Sequence, residues 1–84
     1  MNRVLVKYRA QLAALTGIAE ETVEARDVEA LLRFIGKSHG REAEKCARAM
    51  LITLNGESIL LLRRFKTSLR EGSVVSFFPL CGGG

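Results

Sequence analysis

The sequence is short of several things. Among its 84 residues there is no tryptophan, and there are one tyrosine, one proline, one histidine and two cysteines. Each scarcity closes a class of function. A single histidine, His39, cannot complete a metal site, and no nucleophile–base pair is placed to form a hydrolytic triad with it. Cys46 and Cys81 form no Cys-x-x-Cys pair for zinc, so no metal is expected. Two thiols do not make a disulfide framework either, and the usage fits a reducing, cytoplasmic compartment. With no tryptophan and one tyrosine, no aromatic groups interleave with the positive charges for bases to stack on, so nucleic acid is the weaker partner. Long apolar runs are missing too. The longest aliphatic run is Ile59–Leu62, against ~20 residues for a membrane span. Met1 to Ala19 loosely imitates a signal peptide, but Lys7, Arg9 and Gln11 break its apolar stretch. Gly36-Lys37-Ser38 imitates the end of a phosphate-binding loop, yet position 31, where that loop needs glycine, is leucine.

What is present is the composition of an ordinary globule, 48% hydrophobic and 26% charged, in a chain long enough for one domain. The net charge is +4. The excess lies in the second half, chiefly at Arg63, Arg64, Lys66 and Arg70. Such a stretch docks on nucleic acid, anionic lipid or an acidic protein, or is simply a solvated face.

The hydrophobic pattern predicts a small α+β domain. Residues 3–8 alternate as a strand, and residues 9–16 are rich in helix formers up to Gly17, placed where a helix stops. Residues 20–25 read as a polar edge strand. Residues 27–38 give the clearest helix. Asp27 is its N-cap, Glu29 sits in the first turn, and Val28, Leu31, Leu32 and Ile35 share one face. Gly36 or Gly40 ends it. Arg41 to Ala49 reads as a short helix or ordered loop. Met50–Leu54 and Glu57–Leu62 read as strands joined by the tight turn Asn55-Gly56. Ser73–Phe78 is the final strand, stopped by Pro79.

The unusual feature is Gly82-Gly83-Gly84, a triplet that orders at high entropic cost and predicts a flexible tail over residues 80–84 beyond a domain of residues 1–79. Extended, such a tail spans ~16–18 Å, and without side chains it can thread a narrow channel.

Four blocks of sequence carry a resemblance. They are the opening Val4-Leu-Val-Lys-Tyr-Arg-Ala-Gln-Leu with the short helix closing at Gly17, the Val28-Glu-Ala-Leu helix, the Leu54-Asn-Gly56 turn, and Leu69-Arg-Glu-Gly-Ser-Val-Val-Ser-Phe-Phe-Pro79 with its following glycines. Together they resemble the ubiquitin-like β-grasp sulfur carriers, most closely the small subunit of molybdopterin synthase. Ser73 stands where the family has aspartate, and the family ends in two glycines rather than three. The resemblance implies a β-grasp fold, a mixed sheet on one main helix. It also implies a carrier rather than an enzyme. A terminal carboxylate, anionic above its pKa of ~3.3–3.7, is a poor electrophile. The family overcomes this with a ubiquitin-activating-like adenylyltransferase, which uses ATP to adenylate the terminal glycine, here Gly84. Sulfur then displaces AMP and leaves a thiocarboxylate. No cofactor is bound by the carrier itself. The acceptor implied is the large subunit of molybdopterin synthase or another sulfur acceptor enzyme, serving thiamine, cysteine or transfer-RNA thiolation. A ubiquitin-like protein modifier is the other reading of the same tail. Gly82 and Gly83 keep the tail slim. Leu80, whichever of Phe77 and Phe78 faces outward, and Arg63 and Arg64 are the expected partner contacts.

Overall fold

Alternating apolar residues in Asn2–Lys7 form strand β1, which buries Val4 and Val6. The computed structural model describes residues 2–80. Helix α1, Ala10–Thr16, buries Leu12 and stops at Gly17, whose φ of 79° lets its N–H reach back 2.8 Å to the Ala13 carbonyl. Strand β2, Glu20–Ala25, pairs antiparallel with β1 in the register Val4↔Val23. It lies at the sheet edge, and its exposed Glu20 and Glu24 discourage pairing with other chains.

Helix α2, Val28–His39, is built as its spacing requires. The Asp27 carboxylate accepts from the Ala30 N–H at 2.8 Å, and Val28, Leu31, Leu32 and Ile35 are buried. Gly40 ends it and Gly36 lies inside it. Helix α3, Arg41–Arg48, follows directly. It is bound to α2 through Arg48, which donates to Glu29 at 3.0 and 2.8 Å and to Glu44 at 2.8 Å. The histidine is structural: His39 Nε2 lies 2.7 Å from Glu21 Oε2, the oxygen that also accepts from the Tyr8 hydroxyl at 2.6 Å. Burial, and then the Glu21 carboxylate, push the Tyr8 phenol far above its ordinary range.

Strand β3, Leu51–Leu54, turns through Asn55 and Gly56, with φ of 52° and 88°, into β4. Here the sequence reading of a strand to Leu62 is corrected, because β4 is only Glu57–Ser58. Ile59–Leu61 is a 3₁₀ turn, and Arg64–Lys66 is a second. The reason is topological. The sheet order is β2-β1-β5-β3-β4, so β5, Val74–Phe78, lies on the far side of β3 from β4. After Ser58 the chain must leave the edge and cross beneath the start of α2 to reach β5. It is held there by the Val28 N–H donating to the Thr67 carbonyl at 3.1 Å and by the Asp27↔Ser68 bridge. Arg63 and Arg64 therefore sit on this crossing and not in a strand of the sheet.

β5 runs parallel to β1 and antiparallel to β3, between the two. Its Val75 and Phe77 join Val4, Val6, Ile52 and the α2 face in one core. This is the β-grasp arrangement expected of the sequence.

Candidate functional site at the end of strand β5

The site is the place where β5 leaves the sheet. Phe77 and Phe78 are adjacent in sequence and point to opposite faces, as strand alternation dictates. Phe77 is 0% exposed, with its ring 6.0 Å from that of Tyr8. It is core, and this corrects its expected place among the partner contacts. Phe78 is half-buried opposite Leu51, with the Arg9 guanidinium 5.4 Å from its ring centre. Of the two rings, Phe78 is the one that reaches the surface. Pro79 follows, and Leu80 stands 65% exposed. Cys81, Gly82, Gly83 and Gly84 lie outside the described residues.

Leu80 is one wall of a cleft of about 230 Å³, shared with Met50, Ile52, Ile59, Leu60 and Phe65. Arg48 closes one side of it with its guanidinium 5.4 Å from the Phe65 ring centre. Arg48 is fixed in that pose by Glu29 and Glu44, which hold its guanidinium proton more firmly than usual. In return the Arg48 hydrogen bonds, with help from Arg33, hold the Glu29 carboxyl below the usual carboxylate range. That side of the cleft is thus tied to the α2–α3 pair.

Arg63 and Arg64 are exposed on the crossing segment, near the leucines that border the cleft. Among the described residues neither they nor Lys66 has a carboxylate within salt-bridge reach. Sequence reasoning missed the exposure of Leu60, Leu61 and Leu62, reading them as a strand. The signal was Ser58, a turn-capping residue whose hydroxyl accepts from the Leu60 N–H at 3.2 Å and starts the 3₁₀ turn. The Arg9–Phe78 contact had no signal in the sequence, because it depends on how α1 packs.

The one thiol within the described residues, Cys46, is half-buried on α3, with Sγ 3.8 Å from the Met50 sulfur. Burial and then Glu42 push its thiol pKa up, the setting of an inert packing residue. Among the described residues no helix is long and apolar enough to cross a membrane.

The model of the ThiS family matches residues 6–84. No curated protein matches the chain by sequence. Among solved structures, the small archaeal modifier protein 1 from Methanosarcina acetivorans superposes with a TM-score of 0.86 at 22% identity, covering 100% of this chain and 98% of that one. A Pyrococcus furiosus chain named as subunit 1 of molybdopterin converting factor gives a TM-score of 0.79 at 28% identity, over 96% of this chain and 100% of that one. The complex of subunits 1 and 2 of molybdopterin-converting factor from Helicobacter pylori contains a chain that matches at a TM-score of 0.69 and 20% identity, over 98% and 99% of the two chains.

Proposed function

Because the chain belongs to the ThiS family of ubiquitin-like sulfur carriers, we propose that Gly84 is its working end and that it delivers sulfur for molybdopterin synthesis. The observation that carries this reading is the reach of the family match, which runs through residue 84 and so takes in the glycine triplet. The geometry supports it, since β5 is held by a ladder on each side and presents an exposed Leu80 at the base of the tail. The tail, residues 80–84, then extends from the domain into a partner's active site.

The chemistry proceeds in three steps on partner proteins. A Gly84 carboxylate oxygen attacks the α-phosphorus of ATP on a ubiquitin-activating-like adenylyltransferase, and pyrophosphate leaves. The terminal sulfur of a partner's persulfide then attacks the acyl carbon and AMP departs. The new bond is the acyl C–S bond. A second thiol then attacks the partner's sulfur and cleaves the S–S bond brought in with the persulfide, leaving the Gly84 thiocarboxylate and a disulfide on the partner. The carrier supplies no catalytic side chain; it supplies the carboxyl group and the surface that positions it. The likeness to the Pyrococcus chain supports a molybdopterin synthase large subunit as acceptor. The fold of the archaeal modifier protein supports a second reading, in which Gly84 is joined to substrate lysines.

Mass spectrometry of the protein isolated from its own cells separates the two. A sulfur carrier shows the mass gain of one oxygen-to-sulfur exchange at the C-terminus, and a modifier shows whole-protein conjugates. Deleting Gly84, or adding one residue after it, abolishes adenylation and leaves the domain folded. An extended protein that still accumulates the AMP adduct overturns the mechanism.

A further inference from the structure

The crossing segment between β4 and β5 carries three consecutive leucines in the open: Leu60 is 57% exposed, Leu61 76% and Leu62 37%. Single exposed leucines are common, but a contiguous apolar patch rimmed by charge marks an interaction surface. The segment holds its shape. Ile59 and Thr67 are buried at its two ends, Phe65 packs against the core between them, and the Thr67 hydroxyl accepts from the Arg63 N–H at 3.0 Å. Arg64 has a φ of 54°, left-handed backbone that a residue other than glycine rarely keeps unless its surroundings impose it. The leucines are therefore displayed by a built turn.

Two observations say what covers them. Leu60 and Leu80 wall the same cleft, so the apolar surface runs from the turn to the base of the tail. Arg63, Arg64 and Lys66 follow the leucines in sequence and have no carboxylate partner among the described residues. A cleft accepts a protruding side chain, which a protein offers and a flat lipid surface does not. Resting on the carrier reading above, we propose that Leu60, Leu61 and Leu62 together with Leu80 form a docking surface for the adenylyltransferase that receives the tail, and that this enzyme presents an apolar patch bordered by aspartate and glutamate side chains. The leucines hold the complex together and the cations guide its approach.

The test uses the full chain and the ubiquitin-activating-like adenylyltransferase of the same organism, with binding followed by surface plasmon resonance at low and high salt. Leu61→Ser, and separately Leu61→Ala, weaken binding by ~10-fold or more, mainly through faster dissociation. Leu15→Ser, at an exposed leucine of α1, leaves binding unchanged. Arg63→Glu with Arg64→Glu slows association, and the loss shrinks as salt rises. Circular dichroism melts confirm that each variant is folded. Wild-type affinity in both Leu61 variants overturns the proposal and leaves the carrier reading intact. A wild-type chain that does not bind the adenylyltransferase overturns both. Phosphatidylcholine vesicles with and without phosphatidylserine supply the remaining arm. If Leu61→Ser loses vesicle binding but keeps enzyme binding, the surface belongs to a membrane and the proposal falls.

Discussion

Glu44 on α3 occupies the space that a side chain at Gly36 of α2 would fill. The two helices approach closely because residue 36 has no Cβ, and the carboxylate lodged there accepts from Arg48 at 3.0 and 2.8 Å. Alanine is normally the better helix residue by ~1 kcal/mol. Here Gly36→Ala lowers stability, because Glu44 must abandon Arg48. In a Glu44→Ala background the carboxylate is gone and only the Cβ of residue 44, at 3.2 Å, still crowds the new methyl, so the same change costs less. Urea unfolding of the four proteins in this cycle checks the reduced cost.

The neighbouring phenylalanines should part company. Phe77→Ala removes a fully buried ring and costs ~3–5 kcal/mol, close to the whole stability of a small domain. Phe78→Ala removes a half-buried ring and one cation–π contact and costs about 1 kcal/mol. Thermal melts rank the two, and equal losses would contradict the assignment of Phe77 to the core and Phe78 to the surface.

Glu29 makes the α2–α3 contact sensitive to acid. Its folded-state carboxyl pKa is lowered, mainly by the hydrogen bonds from Arg48. A lowered acid stabilises the fold above its unfolded value of ~4.3 and loses that contribution as the pH falls through the lower folded value. Its side chain is 33% exposed, so solvent limits the effect to about 1 kcal/mol. Glu29→Gln is therefore less stable than the parent near neutral pH. The difference closes on acidification below ~4, as denaturant midpoints across the range would record.

Asn55 does two things at once. It takes a φ of 52°, and its side-chain oxygen accepts from the Val74 N–H at 2.9 Å, tying the β3–β4 turn to β5. Asn55→Asp keeps both and is nearly neutral. Asn55→Gly keeps the backbone and loses the bond, for about 1 kcal/mol. Asn55→Ala loses both, for about 2 kcal/mol. Chemical denaturation of the three variants tests the order Asp, Gly, Ala.

Elements whose determinants are local could be read from the sequence. The Asp27 cap and the 3.6-residue spacing of Val28, Leu31, Leu32 and Ile35 define α2, and Gly17 and Asn55-Gly56 punctuate their turns, because each acts within a few residues. Ile59 to Leu62 offered one local signal, the capping Ser58, and nothing else that could be read that way. An apolar run looks the same whether or not a partner strand exists, and here the crossing to β5 takes the chain away from the sheet. The choice between Phe77 and Phe78 was open for a related reason. Alternation sets them on opposite faces, but only the packing of α2 decides which face is the core. Arg63 and Arg64 were visible as charges, yet their nearness to exposed leucines depended on the same unread turn.

The parallel register of β1 with β5, Leu5↔Val74 through Lys7↔Ser76, has a mechanical consequence. A partner that tugs on Leu80 pulls along β5 while β1 holds the load from its other end, so the ladder hydrogen bonds are strained together in shear. Peeling, in which bonds break singly, is confined to the edge strands β2 and β4. The domain can thus give up its tail to a pulling enzyme without unravelling. Force spectroscopy would register this as a higher rupture force for a pull between residues 2 and 80 than for one that lifts β2 from the edge.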